Sequence, residues 1–412
     1  MCRDLSIALL VLACIVFGKD VAAAEWALKG ALGQQLQYND NISLNATRKD
    51  SAAGYLLTPN LQATRKTELL DIAIEGRGDI RRYDDSRWDC NSYNLGLNND
   101  YRTKRSVFKL SGAYSLGCSY SQQITDTGLL VPASQTENYR LAPSWSWQWT
   151  SRDQLILDTS YSKTSYSNSL AGVTSSTGLI FSGNDTYSVK LGGNHQWNKR
   201  LSLNEKLLFS NIQYTGSNIS TQNLFGFQVG ADYTINHYWA VNAGGGPIWI
   251  DTQQSSGGVT SGNNPSLSLG SVANISLDYD DQLTKFSTGF SNSVNPSAIG
   301  QTLQTRSVFA NYSYRLTQRL LLDLTSNYSH SESIGGQSSN NTISQFNRSY
   351  FTVTPGVAWE LAKNWRLKGS YVYRWQDYQQ NQNLPNLNAG TSDSNAVMFS
   401  LGYSWDGVRL SR

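Results

Sequence analysis

The chain has 412 residues with 33 Lys and Arg against 30 Asp and Glu, a formal net charge of +3, and is 15% charged and 11% aromatic. With no Lys/Arg cluster and little net charge, the composition excludes a nucleic-acid partner gripped by a basic footprint. Beyond the N-terminus no stretch approaches the roughly 18 apolar residues of a membrane-spanning helix, so helical insertion is excluded as well.

In chain order, residues 1–24 read as an export signal: Arg3 supplies the positive start, Leu5 to Phe17 the apolar run, and Ala22, Ala23 and Ala24 a small-residue cleavage site. Acylation of Cys14 is the alternative, but the apolar run continues past it and Leu12 suits such a site poorly. Residues 25–412 are then a single domain rich in Tyr, Trp, Ser, Asn, Gln and Gly, a composition of strands and turns.

Period-two alternation starts at once, with Trp26, Leu28, Leu32, Leu36 and Tyr38 on one face of a first strand. It is clearest at Tyr139, Leu141, Pro143, Trp145, Trp147 and Trp149, where Asn138, Arg140, Ser144, Ser146 and Gln148 occupy the other face. The pattern recurs in Leu155, Leu157, Tyr161; in Tyr187, Val189, Leu191, Trp197; in Leu201, Leu203, Leu207, Phe209; and in Leu267, Leu269, Ile275, Leu277, Tyr279. It closes with Trp365, Leu367, Tyr371, Tyr373, Trp375 and with Val397, Phe399, Leu401, Tyr403, Trp405.

Tight turns near Lys66, Lys104, Ser151, Lys199, His237, Asp281, Gln318 and Lys363 alternate with longer Ser/Gly/Asn-rich connections such as residues 119–136, 167–183, 252–264, 333–345 and 379–394. The fold expected is all-β: a closed antiparallel transmembrane β-barrel of about 18 strands, each roughly 12 to 14 residues, with short periplasmic turns and long extracellular loops. The last strand is expected to end at Trp405 and to pair with the first. A soluble β-propeller is the competing architecture, but it would need a repeated blade signature that the sequence lacks. Such a barrel belongs in the outer membrane of a Gram-negative bacterium.

Export carries Cys90 and Cys118 into an oxidising compartment where they can bridge. Alternation points Cys90 inward and Cys118 outward, so a bridge requires one of them to have left the ladder.

The polar positions of the alternating strands are the candidate lumen lining: Arg140, Ser144, Gln148, Asp158, Lys190, Asn194, Asn204, Lys206, Asn274, Asp278, Arg366, Lys368 and Arg374. Both charge signs occur, so the expected solute is polar and neutral or weakly charged, sugars among them. Equally, these side chains can fill and rigidify the lumen.

Chemistry-bearing motifs are sparse. His195, His237 and His330 lie on different strands or turns without zinc-like spacing, so no metal and no cofactor are expected. His330 sits among Ser329, Ser331 and Glu332, but neighbours on a strand face opposite sides, which separates Ser329 from His330 and argues against a hydrolase. Gly244-Gly245-Gly246-Pro247 lacks the Lys and helix of a phosphate-cradling loop and reads as a close-packed strand segment. The acidic pairs Asp84-Asp85 and Asp280-Asp281 read as solvated turn residues rather than calcium ligands.

The order Tyr38-Asn39-Asp40-Asn41-Ile42, Thr58-Pro59, Arg65-Lys66-Thr67-Glu68 and Arg82-Tyr83 resembles a group of proteobacterial outer-membrane β-barrel proteins, porin-like and often found with exopolysaccharide or sorting-signal loci. The resemblance implies a barrel in the outer membrane with a role in surface-polysaccharide export or passage, and it carries over no catalytic residue. The function expected is a channel for polar solutes, with a non-conducting docking component or an outer-membrane hydrolase as alternatives. The expected partners are outer-membrane lipid, polysaccharide or other polar solutes, and the barrel-assembly machinery, with oligomeric state left open.

Overall fold

The computed structural model describes residues 24–47, 49–118, 135–167, 182–215, 219–255, 266–298, 300–334, 347–379 and 390–411. Residues 1–24, read from the sequence as an export signal, lie, apart from Ala24, outside the described residues. So do most of the long connections, including 119–134, 168–181, 256–265, 335–346 and 380–389.

The described chain forms strands β1 (Glu25–Asn39), β2 (Ala52–Lys66), β3 (Leu70–Tyr83), β4 (Cys90–Arg102), β5 (Ser106–Cys118), β6 (Gln135–Gln148), β7 (Asp153–Ser167), β8 (Gly183–Gln196) and β9 (Leu201–Thr215). They continue through β10 (Ile219–Thr234), β11 (Trp239–Ser255), β12 (Ser266–Asp280), β13 (Thr284–Pro296), β14 (Thr302–Arg315), β15 (Leu320–Ile334), β16 (Asn347–Ala362), β17 (Trp365–Gln379) and β18 (Gly390–Ser411). Each strand pairs antiparallel with its sequence neighbours, and β1 also pairs with β18, from Glu25 opposite Ser411 to Asn39 opposite Ala396. The 18-stranded sheet is therefore a closed barrel with no free edge.

The last strand runs further than the alternation suggests. It continues past Trp405 to Ser411, still paired with β1, through a register shift at Leu28/Gly30. Gly407 has φ +83, a conformation that lets the chain take up the extra residue of a bulge and resume pairing. Strand lengths run from 13 residues in β4, β5 and β13, within the roughly 12 to 14 expected, to 17 in β11 and 22 in β18.

Pairing register assigns every strand face. Phe108 of β5 lies opposite Trp145 of β6, which lies opposite Leu157 of β7; Leu157 faces Leu191 of β8, and Leu191 faces Leu207 of β9. These residues stand together on the outside and meet lipid, while the intervening residues point into the barrel. Pro59, Pro143, Pro247 and Pro355 each fall on this outer face. At Pro143, for example, pairing with β7 lapses between Leu141–Tyr161 and Ser144–Asp158 without a slip in register, so the missing N–H costs one local gap.

At the short-turn end the outer face becomes aromatic. Tyr101, Phe108, Trp145, Trp147 and Trp149 form a run of rings with successive centroids 6.3 to 6.4 Å apart. Trp239 with Tyr279 and Trp365 with Tyr403 continue it at 4.7 and 4.9 Å. Amphipathic rings at that height suit the headgroup region of a bilayer.

Leu191 and Lys190 are adjacent near the middle of β8 and face opposite media. Replacing Leu191 by Arg is expected to cost about 2–4 kcal/mol, read as a shift in the urea-dependent folding equilibrium into lipid vesicles. A change within about 0.5 kcal/mol would show that this face does not meet the membrane.

Candidate functional site: the barrel lumen

The register places all thirteen candidate lining residues on the strand faces opposite the apolar belt. Arg140, Ser144 and Gln148 lie on the inner side of β6, Asp158 on β7, Lys190 and Asn194 on β8, Asn204 and Lys206 on β9, Asn274 and Asp278 on β12, and Arg366, Lys368 and Arg374 on β17.

Several of them join hydrogen-bonded runs along the wall. Ser144 Oγ donates to Asp158 at 2.5 Å, and Ser202 Oγ to Asn194 at 2.5 Å. The Asn204 amide donates to Asp232 at 3.1 Å, Asn242 donates to the other oxygen of the same carboxylate, and Asn274 donates to Asn242. This links β9 to β12 by side chains alone. Asp278 accepts from Ser276 at 3.2 Å and Ser287 at 2.5 Å. Charge-assisted bonds of this kind hold inner carboxylates without a buried counter-charge.

Asp323 of β15 and Lys368 of β17 form an ion pair at 3.0 Å across the intervening β16. Gly356 makes this possible: it stands in register with Asp323, and a Cβ there would lie 2.6 Å from Asp323 Oδ2. Arg366 stands opposite Glu360, and Arg374 between Thr352 and Ser394.

The loop end of the lumen departs from the polar expectation. Ile212, Tyr214, Leu224, Ile248 and Ile250 are inward-facing and buried, with Leu208, Val272, Val294 and Ile334 packed against them. The chain between β13 and β14 and the first residue of β14 reach this cluster: Tyr214 OH donates to Gln301 O at 2.9 Å, and Thr302 Oγ1 donates to Gln222. A signal was present in the sequence, because Ile248-Trp249-Ile250 and Leu207-Leu208-Phe209 are apolar on both faces.

A second segment, between β1 and β2, lies on the inner face of β17 and β18. The Leu44 carbonyl accepts from Gln376 Nε2 at 2.9 Å and Ser392 Oγ at 2.8 Å. Gln376 in turn accepts from Arg348 at 3.0 and 3.1 Å, and Arg348 lies over the Tyr350 ring. Leu44 has φ +49, the one non-glycine residue with positive φ among the described residues, and these bonds hold it there. Lys49 ties the same segment to Asp393 at 2.9 Å, and that hydrogen bond raises the lysine pKa above its ordinary 10.5. The tether is therefore complete below pH 10.5 and is lost only as pH climbs through the higher folded value.

Cys90 and Cys118 are joined, with Cα atoms 6.0 Å apart. Neither cysteine leaves its strand, as the alternation had required: Cys90 still pairs with Arg81 and Cys118 with Gln135, and only the ladder between β4 and β5 has ended, at Tyr93 and Leu116, where the bridge joins the two strands.

The histidines stay apart. His195 Nδ1 meets Asp153 at 2.6 Å on the outer face beside Trp197, and His237 lies in a tight turn against Tyr238. His330 faces outward, opposite Arg306 and Ser349, so neither Ser329 nor Ser331 shares its side. Among the described residues no three His, Cys, Asp or Glu side chains cluster as a metal site.

A closed antiparallel barrel with an apolar outer belt and a polar interior belongs to the class of Gram-negative outer-membrane β-barrels. No family model matches the chain, and no curated protein matches it. Solved structures it resembles include the ferric citrate transporter FecA, at 11% identity over 91% of this chain and 78% of that one, TM-score 0.48. Pseudomonas aeruginosa OccK2 (OpdF), in complex with glucuronate, is similar at 12% identity over 92% and 98%, TM-score 0.47. The ferric-catecholate import receptor Fiu of E. coli K12 is similar at 7% identity over 91% and 81%, TM-score 0.46. The assignment to the class rests on the closed ladder and its two faces.

Two outcomes follow from this geometry. The coupling between Asp323→Asn and Lys368→Gln in a double-mutant cycle is expected to be up to about 1 kcal/mol and to vanish in a Gly356→Ala background; coupling that survives there would separate the ion pair from the glycine. Purified mature protein is expected to resist maleimide at Cys90 and Cys118 until reduced. Two free thiols before reduction would contradict the bridge.

Proposed function

We propose that the protein is a passive channel for small polar solutes across the outer membrane. The observation that carries this reading is the inner wall at mid-height, where hydroxyl, amide and charged side chains of β6 to β12 line the lumen. A barrel of 18 strands has a circumference large enough to enclose water.

The infolded segments between β1 and β2 and between β13 and β14 occupy cross-section at the loop end, on opposite parts of the wall. That favours small solutes over a polymer. Conduction of a polysaccharide, the role implied by the sequence resemblance, would require both segments to leave.

Purified protein in planar bilayers is expected to give discrete current steps, and replacing residues 41–50 by a short Gly/Ser linker is expected to raise the step size. A barrel that is folded by heat-dependent gel migration yet never conducts would overturn the channel reading in favour of a docking or structural role.

A further inference from the structure

The lumen-facing charges are mixed in number but sorted by position. On the inner faces of β5 to β9 stand four cations, Lys109, Arg140, Lys190 and Lys206, and one acid, Asp158. That carboxylate, in register beside Lys190, takes its hydrogen bond from Ser144 on its other side. Lys109 is opposite Asp100 of β4, which Arg102 engages at 3.2 Å. Arg140 is flanked in register by Ala113 and Ser162, and Lys206 by Gly192 and Gln228.

Among the described residues no carboxylate lies within ion-pair distance of Arg140, Lys190 or Lys206. The acids of the neighbouring wall are not free to answer them: Asp232 is held by two asparagines and Asp278 by two serines. Protein cations left without a partner on a narrow wet wall set a local field that attracts anions.

Lys190 and Lys206 are diagonal neighbours on adjacent strands, since Lys190 pairs with Leu208 and Lys206 with Gly192. Such a diagonal places their Cβ atoms roughly 7–8 Å apart. Both border a recess of about 250 Å³ in the inner wall that Asp158 and Asp232 also line, each carboxylate already accepting hydrogen bonds from the wall, and in which Gly192 and Gly244 present no side chain and Asn194 and Gln228 offer amides. With those two carboxylates engaged by Ser144, Asn204 and Asn242, the two ammonium groups and the neighbouring amides around the hollow match a carboxylate joined to several hydroxyls.

Resting on the channel reading, we propose that Lys190 and Lys206 form a subsite for the carboxylate of a small polyhydroxylated anion, and that the wall of β5 to β9 makes the channel anion-selective. Neutral sugars of the same size lack the charge that the subsite recognises.

The test uses purified mature protein in planar bilayers. Under a KCl gradient the reversal potential is expected to show Cl⁻ preferred over K⁺. Gluconate is expected to interrupt the current in a dose-dependent way, while sorbitol, which has the same carbon count and a hydroxyl in place of the carboxylate, does so far less. Lys190→Gln/Lys206→Gln is expected to weaken the gluconate effect roughly tenfold and to lower the Cl⁻ preference while keeping current steps and heat-dependent gel migration. Lys363→Gln, in a periplasmic turn, is expected to change neither. Steps that prefer K⁺, equal effects of gluconate and sorbitol, or a double variant indistinguishable from the parent would each overturn the subsite while leaving the channel intact. Absence of any steps would instead overturn the channel reading, and the subsite with it.

Discussion

The constraint on which everything else depends is that hydrocarbon offers no hydrogen bonds to a peptide group. A strand in the bilayer must therefore be paired on both sides, and a sheet of such strands must return to its beginning. Here the return is the β1–β18 ladder, and its need for complete pairing explains why the chain does not stop at Trp405. The bulge at Gly407 lets β18 resume pairing with β1, one residue shifted, to its end. The outward prolines are tolerated because each interrupts one bond and leaves the register intact.

Closure sets the problem that the interior solves. A ring of this circumference cannot be filled by packed apolar side chains from its own wall, so the inner face stays polar at mid-height and each polar group needs a partner or water. The acids named there have found partners within the wall: hydroxyls for Asp158 and Asp278, amides for Asp232, an ammonium for Asp323. Among the described residues, the cations of β6, β8 and β9 have no carboxylate within ion-pair distance. At the loop end the same wall turns apolar, and chain from between β13 and β14 covers it.

Much of the fold was legible because lipid outside and water inside impose a strict period of two on each strand, and because turn length alternates with the end of the barrel. Trp145, Trp147 and Trp149 against Ser144, Ser146 and Gln148 assign inner and outer faces with no knowledge of any partner strand. That all thirteen candidate residues share the strand faces opposite the apolar belt was within reach for the same reason. Less legible were the features that break the rule: the inward Ile212, Ile248 and Ile250, the continuation of β18 past a glycine bulge, and the bridge between Cys90 and Cys118, whose alternation seemed opposed until the ladder ended at Tyr93 and Leu116.

By itself, then, the amino-acid sequence determined that the chain is a membrane barrel and which side chains face lipid or lumen, because facing is a local property of a pleated strand. Only the tertiary structure decided which charges cancel. Lys368 meets Asp323 across β16 through the gap left at Gly356, whereas Lys190 and Lys206 meet no carboxylate. Those distances depend on register between strands far apart in the chain, and a count of charges along one strand carries no information about it.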